Sequence, residues 1–237
     1  MKRGPRLYFS FRSPYTWLAV ERLRRSLPEA HRWLEFIPYW DPDARTEQAL
    51  RARGSGFHYI QMSKAKHRYM LYDIRRLTQR LGLSIAWPVD VSPWWEVPHL
   101  AWLKARELGL AESFFDAVMA ARWGSGQDVC DPDVVRTLGA SIGADGDVLA
   151  AAAEDPRMRA AGVACLADAY DDDIFGVPYF RIGRNRFWGY DRVDDFLETF
   201  QATVSGASRT VRDADAGKAG PGWPASPYDA DTTGGCG

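Results

Sequence analysis

The sequence predicts an α/β protein whose sheet is shared between the two ends of the chain, with an all-helical segment inserted between them. Three observations predict it. Residues 6–39 carry a strand, a helix and a second strand in succession. Residues 96–166 then show helical spacing throughout and no convincing strand. Residues 176–203 return to strand character, as a hairpin followed by a helix.

Residues 6–11 read as the first strand and residues 14–26 as a helix, with Trp17, Leu18, Val20 and Leu23 at helical spacing. Ser13 and Pro14 mark the joint, because serine is a preferred N-cap and proline a preferred first helical residue. The side chain of Ser13 therefore stands at a helix N-terminus, just past the C-terminal end of a strand. Backbone N–H groups and the helix dipole favour negative charge there, so an oxyanion or thiolate is a suitable occupant. Taken alone, the residue reads equally well as a plain cap.

Trp33–Tyr39 reads as a second strand, which completes a right-handed βαβ unit. Residues 41–60, with Asp-Pro, Gly-Ser-Gly and several charges, read as a loop. A helix follows at about 63–82, with Met70, Leu71, Ile74 and Leu77 on one face and Gly82 closing it. The inserted segment contains helices at about 97–109 and 111–122, one from Asp131-Pro132, one from Asp145–Asp147, and one at about 156–170. Val177–Gly183 is a strand, Arg186–Gly189 its hairpin partner, and residues 191–203 a final helix with Val193, Phe196, Leu197 and Phe200 as its apolar face. Residues 205–237 are rich in Gly, Ala, Ser, Asp and Pro and are expected to be a disordered tail. The expected organisation is thus 1–60 and 171–204 as two parts of one domain, 61–170 as a helical subdomain, and 205–237 as a tail.

Composition narrows the function classes. A net charge of −1 over 237 residues gives no pull toward nucleic acid or membrane, and no apolar run reaches the roughly 18 residues a bilayer span needs. Cys130, Cys165 and Cys236 are an odd, widely spaced set without metal-ligand spacing, which fits a reduced, cytoplasmic setting. No metal site is expected, and Asp171-Asp172-Asp173 reads as a solvated loop or helix end. His31, His58, His67 and His99 form no catalytic set and read as surface or satisfied histidines. The aromatic residues reach 13%, with ten tryptophans in all, several of them near Trp87 and Trp94-Trp95, which suits either core filling or a pocket for a flat ligand.

Four stretches in this order resemble one family. They are Phe9–Ala19 at the front, Lys66–Met70 and Ala121–Asp128 in the middle, and Phe175–Phe180 with Phe187–Arg192 at the back. Over nearly all of residues 6–203 the chain is similar to 2-hydroxychromene-2-carboxylate isomerases and kappa-class glutathione transferases, the DsbA-like branch of the thioredoxin fold. The resemblance implies a thioredoxin-like fold with an inserted all-helical subdomain. It places Ser13-Pro14-Tyr15-Thr16 where redox relatives carry Cys-x-x-Cys, which excludes dithiol exchange at that place. Ser13 would instead hold the thiolate of bound glutathione, lowering its pKa together with the helix start. The resemblance makes Val177-Pro178 a cis-proline loop against which an extended peptide could pair. It further implies that Tyr190 and Asp191 hold the γ-glutamyl end, with Asp191 on the ammonium, and that Lys66 meets a ligand carboxylate. By themselves Asp191 reads as an N-cap and Lys66 as a solvated lysine.

The implied reaction is cis–trans isomerisation of a conjugated, carbonyl-activated double bond by reversible thiol addition. The substrate expected is a small conjugated or aromatic acid, with Arg12, Tyr15 and Trp40 as contacts; Arg12 is suited to a carboxylate. A homodimer is expected by analogy. The chain departs from the family at Phe57, where relatives carry an asparagine, and at Lys64, Tyr179 and Arg12. These departures keep three alternatives in play: a glutathione transferase, a glutathione-independent isomerase of a polyketide-like or carrier-bound substrate, and a binding protein without chemistry.

Overall fold

The computed structural model describes residues 4–58 and 62–205. Four strands form one mixed sheet in the order β2-β1-β3-β4, namely β1 Arg6–Phe9, β2 Glu35–Pro38, β3 Tyr179–Ile182 and β4 Asn185–Trp188. β1 and β2 are parallel, and the β1–β3 and β3–β4 pairs are antiparallel. The register sets Leu7 opposite both Phe36 and Phe180, which makes one apolar face. Phe9 of that face meets Trp102 at 5.0 Å and Phe115 at 5.1 Å in edge-on contacts, and Phe180 stacks on Phe196 at 4.8 Å.

Among the described residues, ten α-helices surround the sheet: α1 Pro14–Ser26, α2 Ala30–Trp33, α3 Ala44–Ala52, α4 Lys64–Leu81, α5 Glu96–Glu107, α6 Ala111–Met119, α7 Pro132–Ser141, α8 Gly146–Ala150, α9 Pro156–Asp171 and α10 Val193–Val204. The chemistry of the caps explains their starts. Ser13, Asp43, Ser63, Asp131, Asp145 and Asp155 each accept a backbone N–H of the first turn. Gly82 ends α4 in the left-handed region that glycine adopts without a Cβ penalty. The helical order of the inserted segment and the back hairpin follow the sequence expectation closely.

Three expectations need correction. Residues 41–60 are not all loop, because α3 occupies Ala44–Ala52; the Asp43 cap starts it, and buried Thr46 and Leu50, one turn apart, anchor it. The short helix α2 lies between α1 and β2, where its only buried residue is Ala30. Asp172 is not solvated. It sits at the C-cap of α9, buried, where it pairs with Arg6 and Arg181 and accepts the Tyr8 hydroxyl. The register that sets Arg6 opposite Arg181 brings two guanidinium groups together, and a buried carboxylate is what compensates them. Burial, reinforced by Asp172, pushes the Tyr8 phenol pKa up. The disordered-tail expectation and Cys236 lie, beyond Ser205, outside the described residues. Among the described residues no helix is long and apolar enough to cross a membrane, and no cluster of ligating side chains could hold a metal ion.

Candidate active site

The joint between β1 and α1 is held by a chain of hydrogen bonds that ends on Ser13. The Ser13 N–H donates to the Ser10 carbonyl at 3.1 Å, the Arg12 N–H to the Ser10 hydroxyl at 3.2 Å, and the Phe11 N–H to His99 Nε2 at 3.1 Å. His99 is fully buried and its Nδ1 lies 2.7 Å from the Trp95 carbonyl. Accepting at Nε2 and donating at Nδ1 is the pattern of one neutral tautomer. Burial lowers its pKa to about 3, which keeps it neutral. Sequence reasoning classed His99 as a surface or satisfied histidine, and it is buried and satisfied; its position under the turn that presents Ser13 was not legible, because α5 approaches only in three dimensions.

Ser13 caps α1. Its Oγ accepts the Thr16 N–H at 3.1 Å and donates across the cleft to the Val177 carbonyl at 3.4 Å. The second bond is longer than an ordinary hydroxyl–carbonyl bond and so is weak. Pro14 has no N–H, so the Tyr15 N–H is the first amide at the helix start, and no helical carbonyl can reach it. The Val177–Pro178 peptide bond is cis. The structure thus brings together Ser13, Val177 and Pro178 at the positive end of a helix dipole, and among the described residues no cysteine lies beside them. Cys130 is buried and Cys165 half-buried on α9, and burial raises their thiol pKa values to about 12 and about 11.

The remaining candidates are more dispersed. Tyr15 donates its hydroxyl to Asp73 of α4 at 2.8 Å; burial, with Asp73, pushes its phenol pKa up and keeps it neutral. Lys66 is exposed in the first turn of α4, two helical turns ahead of Asp73. Tyr190 and Asp191 lie in a single 3₁₀ turn before α10, where the Arg22 guanidinium sits 5.1 Å from the Tyr190 ring. Asp191 is exposed and is not the N-cap of α10; Arg192 holds that position, and no side chain caps it. Trp40 is 2% exposed, stacks on His99 at 5.1 Å, and packs against Gly162 of α9, where a Cβ would come within 3.1 Å of the indole. Phe57 packs its ring on Tyr39 at 4.7 Å.

Arg12 points to a second group of residues. It pairs with Asp41 and lies 6.0 Å from the Trp95 ring, at the rim of a pocket of about 250 Å³ that Trp94, Asp43 and Glu96 also line. The tryptophan cluster was legible in the sequence as a candidate ligand wall; Asp41 and Glu96 carried no signal of their own. Behind the pocket, Arg122 is buried between Trp95 and Trp123, each 4.8 Å away, and forms two 2.8 Å bonds to Asp90. Arg122 lies in a π-helical turn, Ala120–Gly124, of the kind common near functional sites.

Comparison with known proteins agrees with the resemblance carried by the motifs. A family model, the DSBA-like thioredoxin domain, matches residues 6–201. A 2-hydroxychromene-2-carboxylate isomerase of Sphingobium xenophagum is 28% identical over 195 residues, covering 81% of this chain and 95% of that protein. Among solved structures, a 2-hydroxychromene-2-carboxylate isomerase superposes with a TM-score of 0.67 at 19% identity, over 86% of this chain and 98% of the other. A probable DsbA oxidoreductase from Streptomyces coelicolor superposes with a TM-score of 0.64 at 18% identity, over 92% and 96%.

Proposed function

We propose, for a chain that belongs to the DSBA-like thioredoxin domain family, that it is an isomerase: it interconverts the cis and trans forms of a small conjugated acid with the help of an external thiol, glutathione. The observation that carries this reading is Ser13. It stands at the helix start where a thiol oxidoreductase of this fold would need sulfur, and it offers a hydroxyl whose cross-cleft partner, the Val177 carbonyl at 3.4 Å, is weakly held. A thiolate is a stronger acceptor than that carbonyl. The residues present therefore fit a bound thiol, and the buried, high-pKa Cys130 and Cys165 do not supply one.

When bound, glutathione would supply a thiolate for reversible addition to the activated double bond, which is single and free to rotate until the thiolate leaves with its electron pair. The work of the protein is electrostatic and positional. Ser13 Oγ donates to the sulfur, and the α1 dipole favours its negative charge. The Val177-Pro178 loop offers its backbone to the extended tripeptide, and Lys66, Tyr190 and Asp191 are the groups proposed to hold its ends. His99 keeps the turn that presents Ser13 in place through the Phe11 N–H, and remains neutral while it does so. The place where relatives carry an asparagine is filled by Phe57, which is committed to Tyr39, so recognition of the tripeptide rests on fewer polar side chains.

The test is to incubate the protein with a cis-configured conjugated acid, with and without glutathione, and follow the ultraviolet spectrum with product analysis. The expected result is trans product without a stable conjugate, only when the thiol is present. Equal rates without glutathione would overturn the thiol mechanism, and a stable conjugate would make the protein a transferase.

A further inference from the structure

The pocket lined by Arg12, the residue before Ser13, has a composition that selects a ligand. It holds about 250 Å³, below the usual size for drug-like molecules and suited to about one or two flat rings. Trp94 and Trp95 supply aromatic walls. Its charges are unequal in freedom. Asp43 is tied down: its carboxylate accepts the Thr46 N–H at 2.8 Å, Trp94 Nε1 at 3.0 Å and Arg159 Nη1 at 2.7 Å. Burial alone would raise the Asp43 pKa, but these hydrogen bonds outweigh it and hold it at about 2. Glu96 is 1% exposed and accepts the Asp43 N–H at 2.7 Å, and burial raises its pKa. The Arg12–Asp41 pair stands at the rim, with side chains 44% and 29% exposed. An ion pair with that exposure is weak and open to exchange.

We propose that this pocket is the acid-recognition subsite: the aryl end of a conjugated carboxylate enters between Trp94 and Trp95, and its carboxylate replaces Asp41 as the partner of Arg12. Asp41 is then a built-in competitor that makes the site selective. A carboxylate regains what Arg12 gives up on leaving Asp41, and a neutral isostere does not. Arg12 precedes Ser13 in the chain, so the turn that carries the proposed thiolate holder also carries the acid-binding guanidinium. The link from this subsite to turnover rests on the isomerase reading; the binding itself does not.

The test is calorimetric titration of the full chain, without glutathione, with trans-cinnamate, its neutral isostere cinnamamide, and 3-cyclohexylpropanoate. Cinnamate is expected to bind about tenfold or more tighter than either of the others. R12Q should remove the advantage over the amide, and W94L should weaken both aryl ligands together. D41N should tighten cinnamate about three- to tenfold, because the competing carboxylate is gone. Arg12 and Asp41 are exposed enough for their variants to fold, which circular dichroism checks. Equal binding of acid and amide, no effect of R12Q on that ratio, or unchanged or weaker cinnamate binding by D41N would each overturn the proposal. Cinnamate binding with these dependences but no isomerisation would overturn the isomerase reading alone. Isomerisation with no dependence of acid binding on Arg12 would overturn the subsite alone.

Discussion

The two ends of β1 solve opposite problems with the same strand. At its start, Arg6 and Tyr8 converge with Arg181 on Asp172, and full charges are buried against each other. At its end, Ser10, Phe11 and Ser13 are held by neutral partners: the His99 imidazole, a hydroxyl and backbone groups. The first arrangement spends its electrostatics on itself. The second leaves the field of the α1 N-terminus uncompensated at half-exposed Ser13. Charge is buried against charge at the first end, whereas the turn that presents Ser13 is held by uncharged groups.

The largest expected effect breaks the charged end. D172A leaves buried Arg6 and half-buried Arg181 without their counter-charge and should cost about 3–5 kcal/mol in urea denaturation. Turnover per folded molecule should stay unchanged, since Asp172 lies at the other end of the strand; a loss under about 1 kcal/mol would show that the cluster is not a true ionic core. S13A tests the neutral end in the reverse sense. Thiol-dependent turnover should fall about 10²–10³-fold, as on loss of one donor to a developing anion. Stability should fall by only about 1 kcal/mol, as for a lost N-cap. Equal turnover in S13A would make Ser13 a cap and nothing more.

The smallest effect is the pH dependence of the neutral end. Burial holds His99 at about 3 against an ordinary 6.5. Below pH 6.5 the unfolded chain takes up a proton that the folded chain refuses until pH approaches 3, so stability is lost as pH falls through that window and is flat above it. The slope for one such group is about 1.4 kcal/mol per pH unit. His31, also lowered to about 3 by burial and then by Arg24, adds a similar slope. Denaturation at pH 7.5 and 5.0 should therefore show about half the acid sensitivity in H99Q. An unchanged slope would mean that His99 is not buried neutral.

Much of this was legible in the chain. Ser13-Pro14 announces a cap and a helix start by local chemistry, and Gly82 announces a helix end. The strand–helix–strand order, the helical insertion and the back hairpin follow from periodicity. The cis Val177–Pro178 bond was readable only through the family resemblance. What periodicity hid was short or long-range. α3 looked like a loop because its exposed face is charged and only Thr46 and Leu50 are buried. Asp172 looked solvated because a triplet of aspartates gives no sign of two arginines arriving from distant strands. Trp40, expected to contact substrate, packs instead as a buried indole against His99 and Gly162.

The sequence by itself determined the elements, their order, and the serine at the strand-to-helix joint, because helix caps, turn residues and apolar spacing act within a few residues of each other. Tertiary structure alone decided what surrounds that serine. The Val177 carbonyl lies 164 positions from Ser13 and His99 lies 88 from Phe11, and the pocket joins residues from around 12, 41 and 94. Separations of that length are closed by pairing of β1 with β3 and by packing of the sheet against the inserted helices. Packing depends on the shape and burial of whole faces, which no local pattern encodes.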